Sequence, residues 1–216
     1  MDSIRETDII ALGFGSNPQD LETLRDFCAN ENPRFRQLAI SALIRRDPEN
    51  AFTTWQKLVG DPDWKVRRRM AELGINFGIE AAPDILKLLK DDVSLVKELA
   101  SFAAGEIYES ISEVQNEKDE TLVEVISCLS KNAKDDDPLV RESAVASLGN
   151  IGDEETLEII LEACNDKAPI RRRAVVALAA FSGDKVDQAL DKALKDNDWQ
   201  VRQAAEDISG KKSPRE

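Results

Sequence analysis

Asp135-Asp136-Asp137-Pro138-Leu139-Val140-Arg141-Glu142-Ser143-Ala144-Val145-Ala146-Ser147-Leu148-Gly149-Asn150-Ile151-Gly152 reads as an acidic turn followed by one helix. The aspartates can cap the N-terminus and match its dipole. Val140, Ala144, Ser147, Leu148 and Ile151 share one helical face, and Gly149 and Gly152 are the expected end of the helix. The same phrase recurs along the chain. Clear copies are Asp61-Pro62-Asp63-Trp64-Lys65-Val66-Arg67 and Asp196-Asn197-Asp198-Trp199-Gln200-Val201-Arg202. Degenerate copies run from Asn30 to Arg36, Asp91 to Lys97 and Asn165 to Arg171.

The apolar anchors of the six copies are Phe35, Val66, Val96, Val140, Ile170 and Val201, separated by 31, 30, 44, 30 and 31 residues. A period held this closely is the mark of a repeat array. Upstream of each turn lies a second amphipathic segment, such as Leu21 to Cys28, Ala82 to Leu89, Leu122 to Leu129 and Thr156 to Leu161. Each unit is therefore helix A, a short turn, then helix B. The fold class expected is an all-α solenoid, a superhelix of about six helical hairpins. It forms one domain over 1–210, with an extra capping helix at about 3–13 and a non-repeat insertion at about 108–121. Residues 211–216 are read as a flexible tail.

Composition limits what such an array can do. The chain has 216 residues, a net charge of −13 and no histidine. The missing imidazole removes the commonest general base and metal ligand, and with it Ser-His-Asp and Cys-His systems. An acidic body argues against nucleic acid and anionic membranes. Cys28, Cys128 and Cys164 are odd in number and far apart, without CxxC spacing. They point to a reducing, cytoplasmic setting rather than to disulfides or zinc. All three are read as buried within A helices. The acidic turns lack a calcium-loop pattern, and Gly13-Phe14-Gly15 is too short for a phosphate loop. No catalytic, cofactor or metal-binding residue is assigned.

The Asp-x-x-x-x-Val-Arg phrase followed by Ala and Leu-Gly-x-x-Gly, as in Asp135 to Gly152, resembles the short bacterial HEAT repeats called phycobilisome-lyase HEAT-like repeats. The resemblance covers roughly residues 17–210. It implies that B helices line a concave surface, and it is nearly silent on activity. Deoxyhypusine hydroxylases are similar in repeat pattern, but they need His-Glu metal ligands that this chain lacks.

Residues that keep the period serve the array first. Arg36, Arg67, Lys97, Arg141, Arg171 and Arg202 share one slot and are expected to form a ladder with turn carboxylates and carbonyls. Trp64 and Trp199 share another, covering the hairpin turn. Departures from the period carry the functional candidates. The triplets Arg67-Arg68-Arg69 and Arg171-Arg172-Arg173 direct Arg68 and Arg172 away from the core. Ile75, Phe102, Val145, Val175 and Val176 fall on the same outward stripe. Arg68, Arg69, Phe102, Arg172, Arg173 and Val176 are thus the candidate partner-binding residues.

The function expected is a non-enzymatic scaffold or adaptor binding a protein segment on the concave face, with monomer favoured and no membrane association. Two alternatives stand beside it. One is an enzyme or enzyme subunit on the same scaffold, phycobilin-lyase-like or DNA-glycosylase-like, the latter drawing on Trp64, Asp63 and Arg68. The other is a nucleic-acid or anion binder using the arginine triplets.

Overall fold

The computed structural model describes residues 5–109 and 120–213. Most of the insertion read at 108–121, and residues 1–4 and 214–216, lie outside the described residues.

Among the described residues the chain is helical and has no strand. A first helix, α1 (Glu6–Leu12), is followed by six hairpins. These are α2 (Gln19–Phe27) with α3 (Pro33–Arg46), α4 (Pro48–Val59) with α5 (Trp64–Leu73), and α6 (Ala82–Leu89) with α7 (Ser94–Glu109). The last three are α8 (Glu120–Asn132) with α9 (Pro138–Ile151), α10 (Leu157–Ala163) with α11 (Ala168–Ala177), and α12 (Asp184–Ala193) with α13 (Trp199–Ser209). A short 3-10 segment, Gly74–Ala81, joins α5 to α6. The even-numbered helices form one layer, and α3, α5, α7, α9, α11 and α13 form the other, each packed on the next.

Local chemistry sets the helix ends. Asn32, Asp63, Asp137 and Asp198 accept from backbone N–H groups two residues on at 2.8–2.9 Å, capping α3, α5, α9 and α13. Proline opens α3, α4 and α9, where its missing N–H costs nothing. Gly152, at φ +67°, ends α9 in the left-handed conformation that glycine adopts without strain. Gly149 does not end that helix. It lies inside α9 where α11 comes close, and a Cβ there would sit 2.5 Å from the Cβ of Ala177.

Position within the repeat decides exposure. The residues five places after each anchor are Ile40, Ala71, Ser101, Val145 and Val175, all buried. At 100° per residue this slot falls on a flank that the neighbouring second-layer helix covers. Val145 and Val175 are therefore core residues, contrary to the outward stripe read from the sequence. In α13 the slot holds Glu206, and among the described residues no further second-layer helix covers it. The chain after α13 folds back onto this carboxylate instead. Ser213 N–H donates to Glu206 at 2.9 Å and Lys212 pairs with it at 3.1 Å, while Lys211 pairs with Asp191 of α12 at 2.6 Å. At the other end α1 packs on α3 and buries Ile9.

A ladder of ion pairs ties each hairpin to the next. Arg36 grips both oxygens of Asp61 at 2.7 and 2.6 Å, and Arg67 grips Asp91 at 2.6 and 2.9 Å. Lys97 pairs with Asp135, bridging the insertion. Arg141 holds Asp166 at 2.7 and 3.0 Å, and Arg171 holds Asp196 at 2.8 and 2.7 Å. The remaining guanidinium N–H groups of the arginines bond carbonyls of their own turn, as Arg36 does with Asn30 and Glu31 at 2.8 and 3.0 Å. Arg202 bonds only the carbonyls of its own turn among the described residues, those of Asp196 and Asn197 at 2.7 and 3.2 Å. In the first turn the corresponding position is the neutral Asn30, whose side-chain oxygen accepts from Asn32 N–H at 2.9 Å.

The ladder makes stability depend on acid. The Arg141 and Arg171 guanidinium groups bonded to Asp166 and Asp196 hold both carboxyls below the ordinary aspartate range. At Asp91 and Asp135 burial opposes ionisation, but the bonds from Arg67 and Lys97 prevail and the pKa is lowered there too. A depressed folded-state pKa means that the unfolded chain binds more protons, so stability rises with pH across the window. This contribution is complete above an unfolded aspartate pKa of about 3.9 and is lost as pH falls through the folded values. The urea midpoint should hold from pH 8 to about 5 and decline below about 4. An Asp166→Asn/Asp196→Asn double variant should show a shallower decline; an equal slope would exclude the ladder as its cause.

Candidate functional site

The slots two and six residues after each anchor are where the second helical layer meets solvent. The first holds Gln37, Arg68, Glu98, Glu142, Arg172 and Gln203; the second holds Ser41, Glu72, Phe102, Ala146, Val176 and Asp207. None of the twelve is buried. They form a stripe that crosses every B helix, and two clefts open along it.

The first cleft, of about 580 Å³, lies among α1, α3 and α5. Arg34, Gln37, Leu38, Ser41, Ala42 and Arg45 of α3 face Trp64, Lys65, Arg68, Arg69 and Glu72 of α5, with Ile10 of α1 at the edge. Several of its cations are partnered. Arg34 pairs with Glu6 at 3.1 Å, and Arg69 pairs with Glu72 at 2.7 Å and donates to the Ser41 hydroxyl at 2.9 Å. Arg45 lies over the Phe14 ring, 4.5 Å from its centroid, and Lys65 lies 5.9 Å from the Trp64 ring. Among the described residues Arg45, Lys65 and Arg68 have no carboxylate partner.

The second cleft, of about 460 Å³, lies between α7 and α9. It is lined by Glu98, Phe102 and Glu106 on one side and by Leu139, Glu142 and Asn150 on the other, with Arg173 reaching in from α11. Its walls are close. Ser143 donates to the Glu98 carbonyl at 2.8 Å and Ser147 to that of Ser101 at 2.6 Å, so small side chains bring α7 and α9 together. Phe102 and Leu139 nevertheless remain 47% and 49% exposed. An apolar pair left open between two helices that pack this closely is not required by either helix.

The six residues singled out by sequence are thus divided. Arg68 and Arg69 line the first cleft, Phe102 and Arg173 line the second, and Arg172 and Val176 line neither. Arg172 is half-buried and leans toward Glu142 at 3.9 Å, while Arg173 bonds the same carboxylate at 3.2 Å. The two triplets therefore do not form a continuous cationic rail. Arg67 and Arg171 are held in the ladder, and Arg69 and Arg173 turn to the preceding helix. Arg34, Arg45 and Lys65 were missed. Their signal was present: Arg34, Leu38, Ser41 and Arg45 fall on one helical face, as do Lys65, Arg68 or Arg69, and Glu72.

The tryptophans also separate. Trp64 is half-buried in the first cleft, whereas Trp199 is 65% exposed, so the shared slot does not make them equivalent turn covers. The Asp63 carboxylate is occupied in capping α5 and lies outside the cleft that takes Trp64 and Arg68. Trp, Asp and Arg are therefore not gathered into one site. Cys128 lies within α8, but Cys28 and Cys164 stand at the C-terminal caps of α2 and α10 rather than inside them. Burial pushes the Cys28 thiol up to about 12 and that of the partly buried Cys164 to about 11, which favours the protonated thiol at both. Among the described residues no group of His, Cys, Asp or Glu could hold a metal ion, and no helix is long and apolar enough to cross a membrane.

Residues 103–179 and 126–208 match the family model for HEAT repeats. No curated protein matches the sequence. Among solved structures, YibA of Escherichia coli aligns with a TM-score of 0.71 at 19% identity, covering 96% of this chain and 76% of that one. A designed armadillo repeat protein, solved in complex with the peptide (KR)4, aligns with a TM-score of 0.59 at 19% identity, covering 96% and 99%. Importin beta aligns with a TM-score of 0.60 at 15% identity, covering 94% of this chain and 30% of that one. At these identities the likeness is one of fold. The array is an α-solenoid of the HEAT/armadillo type.

Proposed function

We propose that this protein is a non-enzymatic scaffold that docks an extended segment of a partner protein along its B-helix face, the concave side in arrays of this type. The observation that carries the reading is the second cleft, where Phe102 and Leu139 stand half-exposed between helices that pack closely enough to have covered them. Apolar surface of that kind, flanked by charged residues, is the ordinary composition of a protein-docking groove. The designed armadillo protein that shares the fold was solved with a peptide bound, which agrees with it. The thirty-residue period keeps the short phycobilisome-lyase-like repeat as our reading of the repeat type. The three free thiols agree with a reducing, cytoplasmic setting, and a monomer remains our reading of the assembly state.

The test is photo-crosslinking in the cells that make the protein. A benzoylphenylalanine replacing Phe102 should give a discrete protein adduct, and the same group replacing Lys57, on the A-helix layer, should not. Equal labelling at both positions, or none at position 102, would sink the proposal.

A further inference from the structure

The first cleft concentrates cations in a way that no other cleft along this face does among the described residues. In a chain of net charge −13 it gathers five cations against one carboxylate among its lining residues. Glu72 and Glu6 account for Arg69 and Arg34, which leaves Arg45, Lys65 and Arg68 exposed and without an acidic partner among the described residues. Such a surplus is not needed for stacking, since the ladder cations occupy a different slot. The half-buried Leu38 and Trp64, with buried Ala42, give the cleft an apolar base beneath these charges.

We infer that the cleft among α1, α3 and α5 binds an acidic segment of a partner protein, with carboxylates two or three residues apart placed on Arg68 and Lys65 of α5 and on Arg45 of α3. This deepens the scaffold reading and rests on it. The spacing follows from geometry. Packed helices lie about 8–10 Å apart, and an extended chain advances about 3.3 Å per residue. A segment crossing from α3 to α5 therefore covers about three residues. Carboxylates meet guanidinium and ammonium groups as charge-assisted hydrogen bonds, and the low dielectric of the apolar base strengthens them.

A nucleic acid is the other polyanion to consider, and the surrounding charge disfavours it. Farther along the same face, the second cleft carries Glu98 and Glu106, which have no basic partner among the described residues. A phosphate backbone following the groove would leave three free cations and run into carboxylates. A short peptide can stop at the cleft, or continue as a neutral or basic stretch over Phe102.

The test is fluorescence anisotropy at low salt with three labelled probes: a peptide of four Glu-Ser repeats, one of four Lys-Ser repeats, and an eight-nucleotide oligothymidylate. The acidic peptide should bind despite the acidic body. Lys65→Glu/Arg68→Glu should weaken it at least tenfold, and the milder Arg68→Gln about threefold. The charge-matched control Lys57→Glu/Lys195→Glu, at exposed sites outside the cleft, should leave it within twofold. Failure of the acidic peptide to bind, equal loss in the control, or tighter binding of the oligothymidylate would each overturn the inference. The Lys-Ser peptide reports attraction to the acidic body. If it alone binds, the cleft does not override net charge and the inference falls. The outcome is separable from the scaffold reading, because the crosslink at position 102 can succeed while the acidic peptide fails.

Discussion

Asp61→Ala should destabilise the array by about 3 kcal/mol, near the low end of what breaking a buried ion pair costs. The side chains of Asp61 and Arg36 are only 4% and 11% exposed. Removing the carboxylate leaves a guanidinium held in place without its counter-charge. Arg36 keeps its two bonds to the Asn30 and Glu31 carbonyls, which is why the cost falls at the low end. The aspartate also accepts from Asp63 N–H at 2.9 Å, so alanine opens the turn as well. Asp61→Asn separates the two effects. The amide oxygen can still take the turn N–H, as Asn30 does in the first turn, while the charge and the second acceptor for Arg36 are lost. That variant should cost about half as much. Urea denaturation followed by circular dichroism would measure both. If alanine costs less than about 1 kcal/mol, the pair is a solvent-screened surface contact and the ladder does not tie the hairpins. Hydrogen exchange should show where the damage lies. In a stack stabilised by nearest neighbours, protection should fall first in α1 to α3, the hairpin that Arg36 anchors to the next.

The ladder shows which parts of this architecture can be read from a sequence. Its cations are legible because each stands one residue after an apolar anchor, in a pattern repeated six times. Their partners are not, since each turn offers two or three acidic or amide groups and spacing does not choose among them. In four turns the first aspartate takes the bond. In the fifth the period would place Asn165 in that slot, and Asp166 takes it instead, bonding Lys167 N–H next to it rather than the residue two on. The candidate site is legible by the same measure. Arg68 follows from its angle on a single helix. Val145 and Val175 do not, because their exposure depends on a neighbouring helix that a helical wheel does not contain. Arg34 and Arg45 become part of a cleft only when α3 is set beside α5, and no triplet marks them. A one-dimensional pattern encodes the inside of each repeat well and the seams between repeats poorly. The seams hold both the ion pairs and the clefts.

Trp55→Ala should be the most damaging single core change, at about 3–5 kcal/mol. Trp55 is fully buried, and its indole N–H donates to the Met70 carbonyl at 2.9 Å. Its ring stacks on Phe52 at 5.7 Å and meets Phe77 at 5.2 Å, while Phe52 and Phe77 close the triangle at 5.1 Å. The three come from two elements: Phe52 and Trp55 from α4, and Phe77 from the segment that leads to α6. Alanine therefore removes the volume that holds α4, α5 and the connection to the third hairpin together. Trp55→Phe keeps most of the ring and gives up the hydrogen bond. The Met70 carbonyl still accepts from Gly74 N–H, so no acceptor is orphaned and the loss should be only about 1–2 kcal/mol. A small difference between the two variants would mean that the hydrogen bond, not the packing, fixes this seam. Because stability in a solenoid is a chain of neighbour terms, a gap at one seam also weakens cooperativity. In Trp55→Ala combined with Trp199→Phe, which leaves Trp64 as the single tryptophan, unfolding followed by circular dichroism, which sees every helix, should no longer coincide with unfolding followed by fluorescence, which then reports on the second hairpin alone. If the two probes still coincide, the hairpins are coupled by more than this aromatic cluster, and the Arg67 to Asp91 bridge is the contact that would have to carry the coupling.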